Sequence, residues 1–166
     1  MKKTILSTLV LVAMVLCTSF ASAKSNGNPA PITSLVVNAN VTIVLVTNPG
    51  QELQLDGDPL FMSGIKINQT EGKLVVDGNR NRNFKGHGII YVPAKDLQQI
   101  KVNNAAFIRS SSALKTPLLK ILVNSNCKFH ISTLGKIDFV ENDLYEVEYH
   151  VSKKPAISDV VVKTRQ

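Results

Sequence analysis

Glu146, Glu148 and His150 alternate with Tyr145, Val147 and Tyr149, so a strand here carries one polar and one apolar face. Carboxylates two apart on a strand have Cα atoms about 6.6 Å apart, a spacing compatible with glycoside hydrolysis. With His150 the trio could also hold a metal loosely. The plainer reading is a solvated face that blocks edge-to-edge pairing, because a catalytic pair also needs a cleft and a raised pKa. Asp56-Gly57-Asp58-Pro59 offers oxygen ligands suited to calcium, but the repeated Gly-Asp pattern of calcium-binding β-rolls is absent and the segment reads as a turn.

Asn79 to Gly88 (NRNRNFKGHG) is a basic loop with an aromatic inside it. Arg80, Arg82, Lys85 and His87 around Phe84 are suited to anionic glycans, phosphates or lipid headgroups, against the alternative of a merely solvated loop. These five residues are the candidate binding site. Cys127 sits where sister repeats carry Ala106 and Val41, and reads as a small buried thiol. His130 follows an inward Phe129 and is expected to face outward. His87, His130 and His150 are far apart in sequence and show no metal-ligand spacing. No nucleophile elbow, phosphate loop or dinucleotide fingerprint occurs. The expectation is therefore no enzyme, no cofactor and no metal.

These residues must be positioned by strands. From Val41 onward apolar residues recur with period two: Val41/Ile43/Leu45, Leu74/Val76, Ile100/Val102, Ile121/Val123, Phe129/Ile131 and Val160/Val162 are examples. Most are β-branched or aromatic, which suits a pleated, half-buried surface. Turn residues separate them, among them Asn48-Pro49-Gly50, Glu71-Gly72 and Lys153-Lys154-Pro155. No amphipathic helix is legible after the leader, so the chain reads as all-β.

Internal repetition points to one architecture. Leu97-x-x-Ile100-x-Val102-Asn103-x-x-Ala106-x-Ile108 recurs as Leu118-x-x-Ile121-x-Val123-Asn124-x-x-Cys127-x-Phe129. The frame also fits Ile32-x-x-Leu35-x-Val37-Asn38-x-x-Val41-x-Ile43, and a degraded copy follows at Leu134, Ile137 and Phe139. Two inward residues end a strand, Asn turns a corner, and two inward residues begin the next strand; Asn tolerates the left-handed backbone of such corners. The expected fold is a single-domain β-solenoid, a parallel β-helix-like stack of short strands over 32–166. Stacking would align Asn38, Asn103 and Asn124 into a side-chain amide ladder.

The chain has 166 residues, and its start reads as a secretory signal peptide over 1–23: Lys2-Lys3, an apolar run from Ile5 to Leu16, and Ala21-Ser22-Ala23 as the cleavage site. Acylation of Cys17 is the rival, disfavoured by Leu16 before it. Lys24 to Pro31 reads as a flexible lead-in. Cleavage after Ala23 takes 23 of 166 residues and both signal lysines, leaving 143 residues with 17 basic and 12 acidic side chains, a net charge of +5. That balance favours anionic polymers or membrane surfaces, while nucleic acid is not expected of an exported protein. Cys127 is then the lone cysteine, so no internal disulfide forms. No later segment reaches the length of a membrane span.

The segments ITSLVVNANVTIVL, LQLDGDPLF, IKINQTEGKLVV, IIYVPAKDLQQIKVNNAAFI and LLKILVNSNCKFHI, in this order from about Ile32 to Ile131, resemble the head GIN domain family of autotransporter adhesins. The family's glycine-rich corner is replaced here by Asn103-Asn104-Ala105. The resemblance implies an exported β-helical domain at the periplasm or cell surface of a Gram-negative bacterium, and brings no catalytic residues. The leading expectation is a non-enzymatic cell-envelope module that binds an anionic glycan or envelope component or scaffolds one. The rivals are a glycan-active enzyme using Glu146 and Glu148, and a spacer that self-associates through uncapped ends.

Overall fold

The computed structural model describes residues 30–78, 86–140, 145–151 and 157–164, the last two spans as backbone. The expected leader, nearly all of the lead-in, and four of the five loop candidates (Arg80, Arg82, Phe84 and Lys85) lie outside the described residues.

Each period-two segment becomes a strand. β1 (Ser34–Asn38) and β2 (Val41–Val46) open the chain, followed by β3 (Gln54–Gly57), α1 (Pro59–Gly64), β4 (Ile65–Thr70) and β5 (Lys73–Gly78). Then come β6 (Gly88–Pro93), β7 (Gln99–Val102), β8 (Ala106–Ser110), β9 (Leu118–Val123) and β10 (Cys127–Ser132). β11 (Lys136–Val140), β12 (Tyr145–Val151) and β13 (Ile157–Thr164) complete the described strands.

The strands form two sheets, ordered β11-β9-β7-β1-β5-β4 and β12-β13-β10-β8-β2-β6-β3. Consecutive strands joined across a corner fall at matching places in the two sheets: β9/β10, β7/β8, β1/β2 and β5/β6. Within this block neighbours run parallel. The sequence frame is the register itself: Ile100 pairs with Ile121, Cys127 with Ala106, Leu35 with Ile100 and Val41 with Ala106.

Three expectations need correction. The sheets are mixed rather than wholly parallel, because β4·β5, β3·β6, β10·β13 and β12·β13 are antiparallel. The coils also do not stack in chain order. After β1/β2 the chain builds β5/β6 on one side and then crosses to lay β7/β8 on the other, so repeats 65 residues apart are direct neighbours. The degraded copy is real but displaced by two residues: Ile137 lies beside Leu119 and Phe139 beside Ile121. A two-residue slip keeps every side chain on its face, whereas a slip of one would invert them. Leu134, which the frame placed inward, is 68% exposed.

The core lies between the sheets. Leu35, Val37, Ile100 and Val102 of one sheet are fully buried, as are Ile43, Leu45, Ile90 and Ile108 of the other. Each such side chain contributes about 1.5–3 kcal/mol by leaving water. The β4–β5 hairpin closes through Glu71 (φ 50°) and Gly72 (φ 77°), the pair of left-handed residues that a two-residue hairpin turn requires.

Asp58-Pro59 begins a short helix, α1, where the sequence read as a turn. Asp58 accepts a hydrogen bond from the Phe61 amide (2.7 Å), and Pro59 occupies the first turn, where its missing N–H costs nothing. Six residues are too few to show a helical period, so only the cap signals α1. Its one buried residue, Phe61, is 1% exposed.

Candidate functional site

The corner that joins the two sheets carries a polar ladder. Asn38 Nδ2 donates to Asp77 Oδ1 (2.7 Å), Asn103 Nδ2 to Asn38 Oδ1 (2.7 Å), and Asn124 Nδ2 to Asn103 Oδ1 (2.8 Å). Asp77, which the frame did not include, fixes the direction. A carboxylate only accepts, so Asn38 must present its amide nitrogen, and each further rung follows. Backbone bonds run alongside, from the Asn103 amide to Val37 O and from the Asn124 amide to Val102 O, both 2.8 Å.

At this corner β1–β2, β7–β8 and β9–β10 are joined by two or three residues, whereas β5 and β6 are separated by residues 79–87. The basic loop is therefore an insertion at the ladder corner. Its described end, Gly86-His87-Gly88, forms one wall of an open trough of about 1020 Å³. The opening residues of β2, β8 and β10 form the floor. Ile89, Thr42, Phe107 and Lys128 lie side by side in register across four parallel strands. With strands about 4.8 Å apart the row is about 14 Å long. Phe107 is 39% exposed, and Asn40, Asp56 and Asn126 line the trough beside it. An exposed aromatic face among amides, a carboxylate, an ammonium and an imidazole can stack on a ring and hydrogen-bond around it.

Asp58 ties this wall down. Its Oδ2 accepts from the His87 amide (2.8 Å), and its own amide donates to His87 O (3.0 Å). The His87 and Phe61 amides hold its carboxyl below the usual carboxylate range. With both oxygens so engaged, Asp58 serves as a structural clamp between α1 and the His87 wall. Two glycines permit the close approach. A Cβ on Gly88 would sit 2.3 Å from the Phe61 ring, and one on Gly57 2.8 Å from His87 O.

His87 is exposed, as a ligand contact requires. Cys127 is buried (4% exposed) at the trough floor, and burial pushes its thiol up to about 12, so it is protonated and unreactive. His130 faces outward, beside Arg109 and Asp159 in register. Glu146, Glu148 and His150 lie on β12, the last strand of its sheet, opposite Lys163, Val161 and Asp159; their side chains lie outside the description. Among the described residues no three His, Cys, Asp or Glu side chains gather as a metal site, and no helix is long and apolar enough to cross a membrane.

Sequence reasoning missed Thr42, Phe107 and Lys128. The signal was present, since each lies between two inward residues of its repeat, and the repeat alignment puts all three in one row.

A family profile described as "Putative auto-transporter adhesin, head GIN domain" matches residues 32–143. The chain belongs to this family. The match runs past Ile131, through β11, so the head GIN domain includes the displaced last repeat. Among solved structures, a putative adhesin from Bacteroides fragilis NCTC 9343 is similar over 68% of this chain, with 17% identity and a TM-score of 0.47. The alignment spans 58% of that chain, less than two thirds of its length. No curated protein matches the chain.

Proposed function

We propose that this head GIN domain is an exported, non-enzymatic module of the cell envelope, at the periplasm or cell surface. Its stacked coils act as a solenoid-like scaffold for one recognition corner. The ligand is an anionic glycan or another anionic envelope component, and membership in an adhesin-related family supports that reading. One observation carries it: the basic loop is inserted at the corner where the trough opens, and His87 belongs to both. Arg80, Arg82 and Lys85 would supply charge, while Phe107 supplies a stacking face and Lys128 a further cation.

The test is a glycan and lipid array probed with the protein secreted by its expression host, at two salt concentrations. Binding should weaken with salt, as an interaction of exposed charges must, and vanish when Arg80, Arg82 and Lys85 are replaced by Ala. Absence of binding at either concentration would refute the recognition role and favour a spacer.

A further inference from the structure

The outward face of the second sheet continues beyond the floor of the trough. Ile90 and Val92 are fully buried, so Tyr91 between them points outward, as Phe107 does between buried Ala106 and Ile108. Their strands, β6 and β8, flank β2, where Tyr91 is level with Val44 and Phe107 with Thr42. At about 4.8 Å per strand and about 3.3 Å per residue, this offset of two strands and one outward row sets their Cβ atoms about 12 Å apart. Thr42 and Val44 between them are short, so the larger rings stand above the floor that separates them. Phe107 and Arg109, the next outward residue of β8, are exposed, and Tyr91 is half-buried. Gln54, also exposed, lies opposite Tyr91 on β3.

We infer that this face binds an internal stretch of a linear acidic polysaccharide built of diequatorially linked pyranoses, lying from Phe107 across β2 to Tyr91. The inference rests on the glycan reading of the recognition corner and adds to it a chain geometry and a second platform. Diequatorial links make an extended ribbon in which each ring is turned over relative to the one before. Alternate rings thus show the same face at a spacing of one disaccharide unit, comparable to the separation of Phe107 and Tyr91. Each aromatic ring takes the apolar face of one pyranose, while hydroxyls at the pyranose edge reach the Gln54 amide. Arg109 stands beside the path in the row of Tyr91, where its planar fork suits the carboxylate of a uronic acid. The trough is open, so a chain can pass through it and need not end there. An axially linked chain bends away from the sheet and meets only one ring at a time.

The experiment is calorimetric titration of the secreted protein with β-linked mannuronate disaccharide and tetrasaccharide. Cello-oligosaccharides of the same lengths, which carry the same linkage without charge, are titrated beside them. In the wild type the mannuronate tetrasaccharide should bind about tenfold more tightly than the disaccharide, because only the longer chain spans both rings. Tyr91→Ala should remove that gain and leave disaccharide binding measurable, which an unfolded protein would not show. Tyr91→Phe, which keeps the ring, should keep the gain. Mannuronate should outbind the neutral chain in the wild type and lose much of that advantage in Arg109→Ala. Equal affinity for the two lengths, a gain that survives Tyr91→Ala, or no binding of either chain would overturn the inference. If an anionic ligand on the array still binds through Arg80, Arg82 and Lys85 in that case, the recognition corner stands and only the platform falls. Silence on the array as well would refute both.

Discussion

Asn103→Asp changes one atom's chemistry and little of its shape, yet it should break the corner ladder. In the wild type Asn103 donates to Asn38 Oδ1 and accepts from Asn124. A carboxylate at position 103 still accepts from Asn124 but cannot donate, so an oxygen faces Asn38 Oδ1 where a 2.7 Å hydrogen bond stood. Flipping the Asn38 amide does not help, because its oxygen would then face the Asp77 carboxylate. One net hydrogen bond is worth about 1 kcal/mol, and the oxygen–oxygen contact adds a fraction more at an exposed site, for a total of about 1–2 kcal/mol. Adding Asp77→Asn should reverse the loss. An amide at position 77 can donate to the flipped Asn38, which donates in turn to the new carboxylate at position 103, and every rung is paired again. The double variant should therefore lie within about 0.5 kcal/mol of Asp77→Asn alone, a coupling of about 1 kcal/mol in a double-mutant cycle read by urea denaturation at neutral pH. Strictly additive effects, or a harmless Asn103→Asp, would refute the directional ladder.

Other perturbations test the surroundings of the trough. Asp58 has its folded pKa lowered, so its contribution is fully present above the ordinary carboxylate pKa and is lost as pH falls through the folded value. The stability gap between wild type and Asp58→Asn should shrink from neutral pH into acid, and a gap constant with pH would contradict the clamp. Cys127, buried with its thiol pushed up to about 12, should react with a maleimide far more slowly in the native protein than in urea, and equal rates would mean the floor is open. Gly135→Ala would put a Cβ 2.1 Å from Thr116 O and 2.5 Å from Pro117 O, so it should cost about 2 kcal/mol in urea denaturation. An unchanged midpoint would contradict the close approach of Gly135 to Thr116 O and Pro117 O.

Much of the fold is legible because a strand repeats every second residue and a coil repeats whole. The frame around Asn103 and Asn124 encodes strand, corner and strand, and its alignment is the pairing register. The order of the coils is not legible, since a direct neighbour 65 residues away looks like a gap in the repeat. The first frame position also fails: Leu97 is buried but Leu118 is exposed, with Leu119 taking the core place. β9 thus enters the core one residue later than the frame places it. The helix escaped because a cap and two turns carry no period. Of the candidate site, the basic loop was visible as charge. The trough was not, because a row made of one residue from each of four strands exists only after pairing.

The recognition corner is tested most directly by titrating the best array ligand against four proteins: wild type, the Arg80/Arg82/Lys85→Ala form, Phe107→Ala and Lys95→Ala. Lys95 is exposed between β6 and β7, at the other corner of the stack. The account predicts that the loop and Phe107 variants each lose about tenfold or more in affinity while Lys95→Ala binds as the wild type does. A Phe107→Ala protein that binds at full strength, or a loss shared equally by Lys95→Ala, would contradict it.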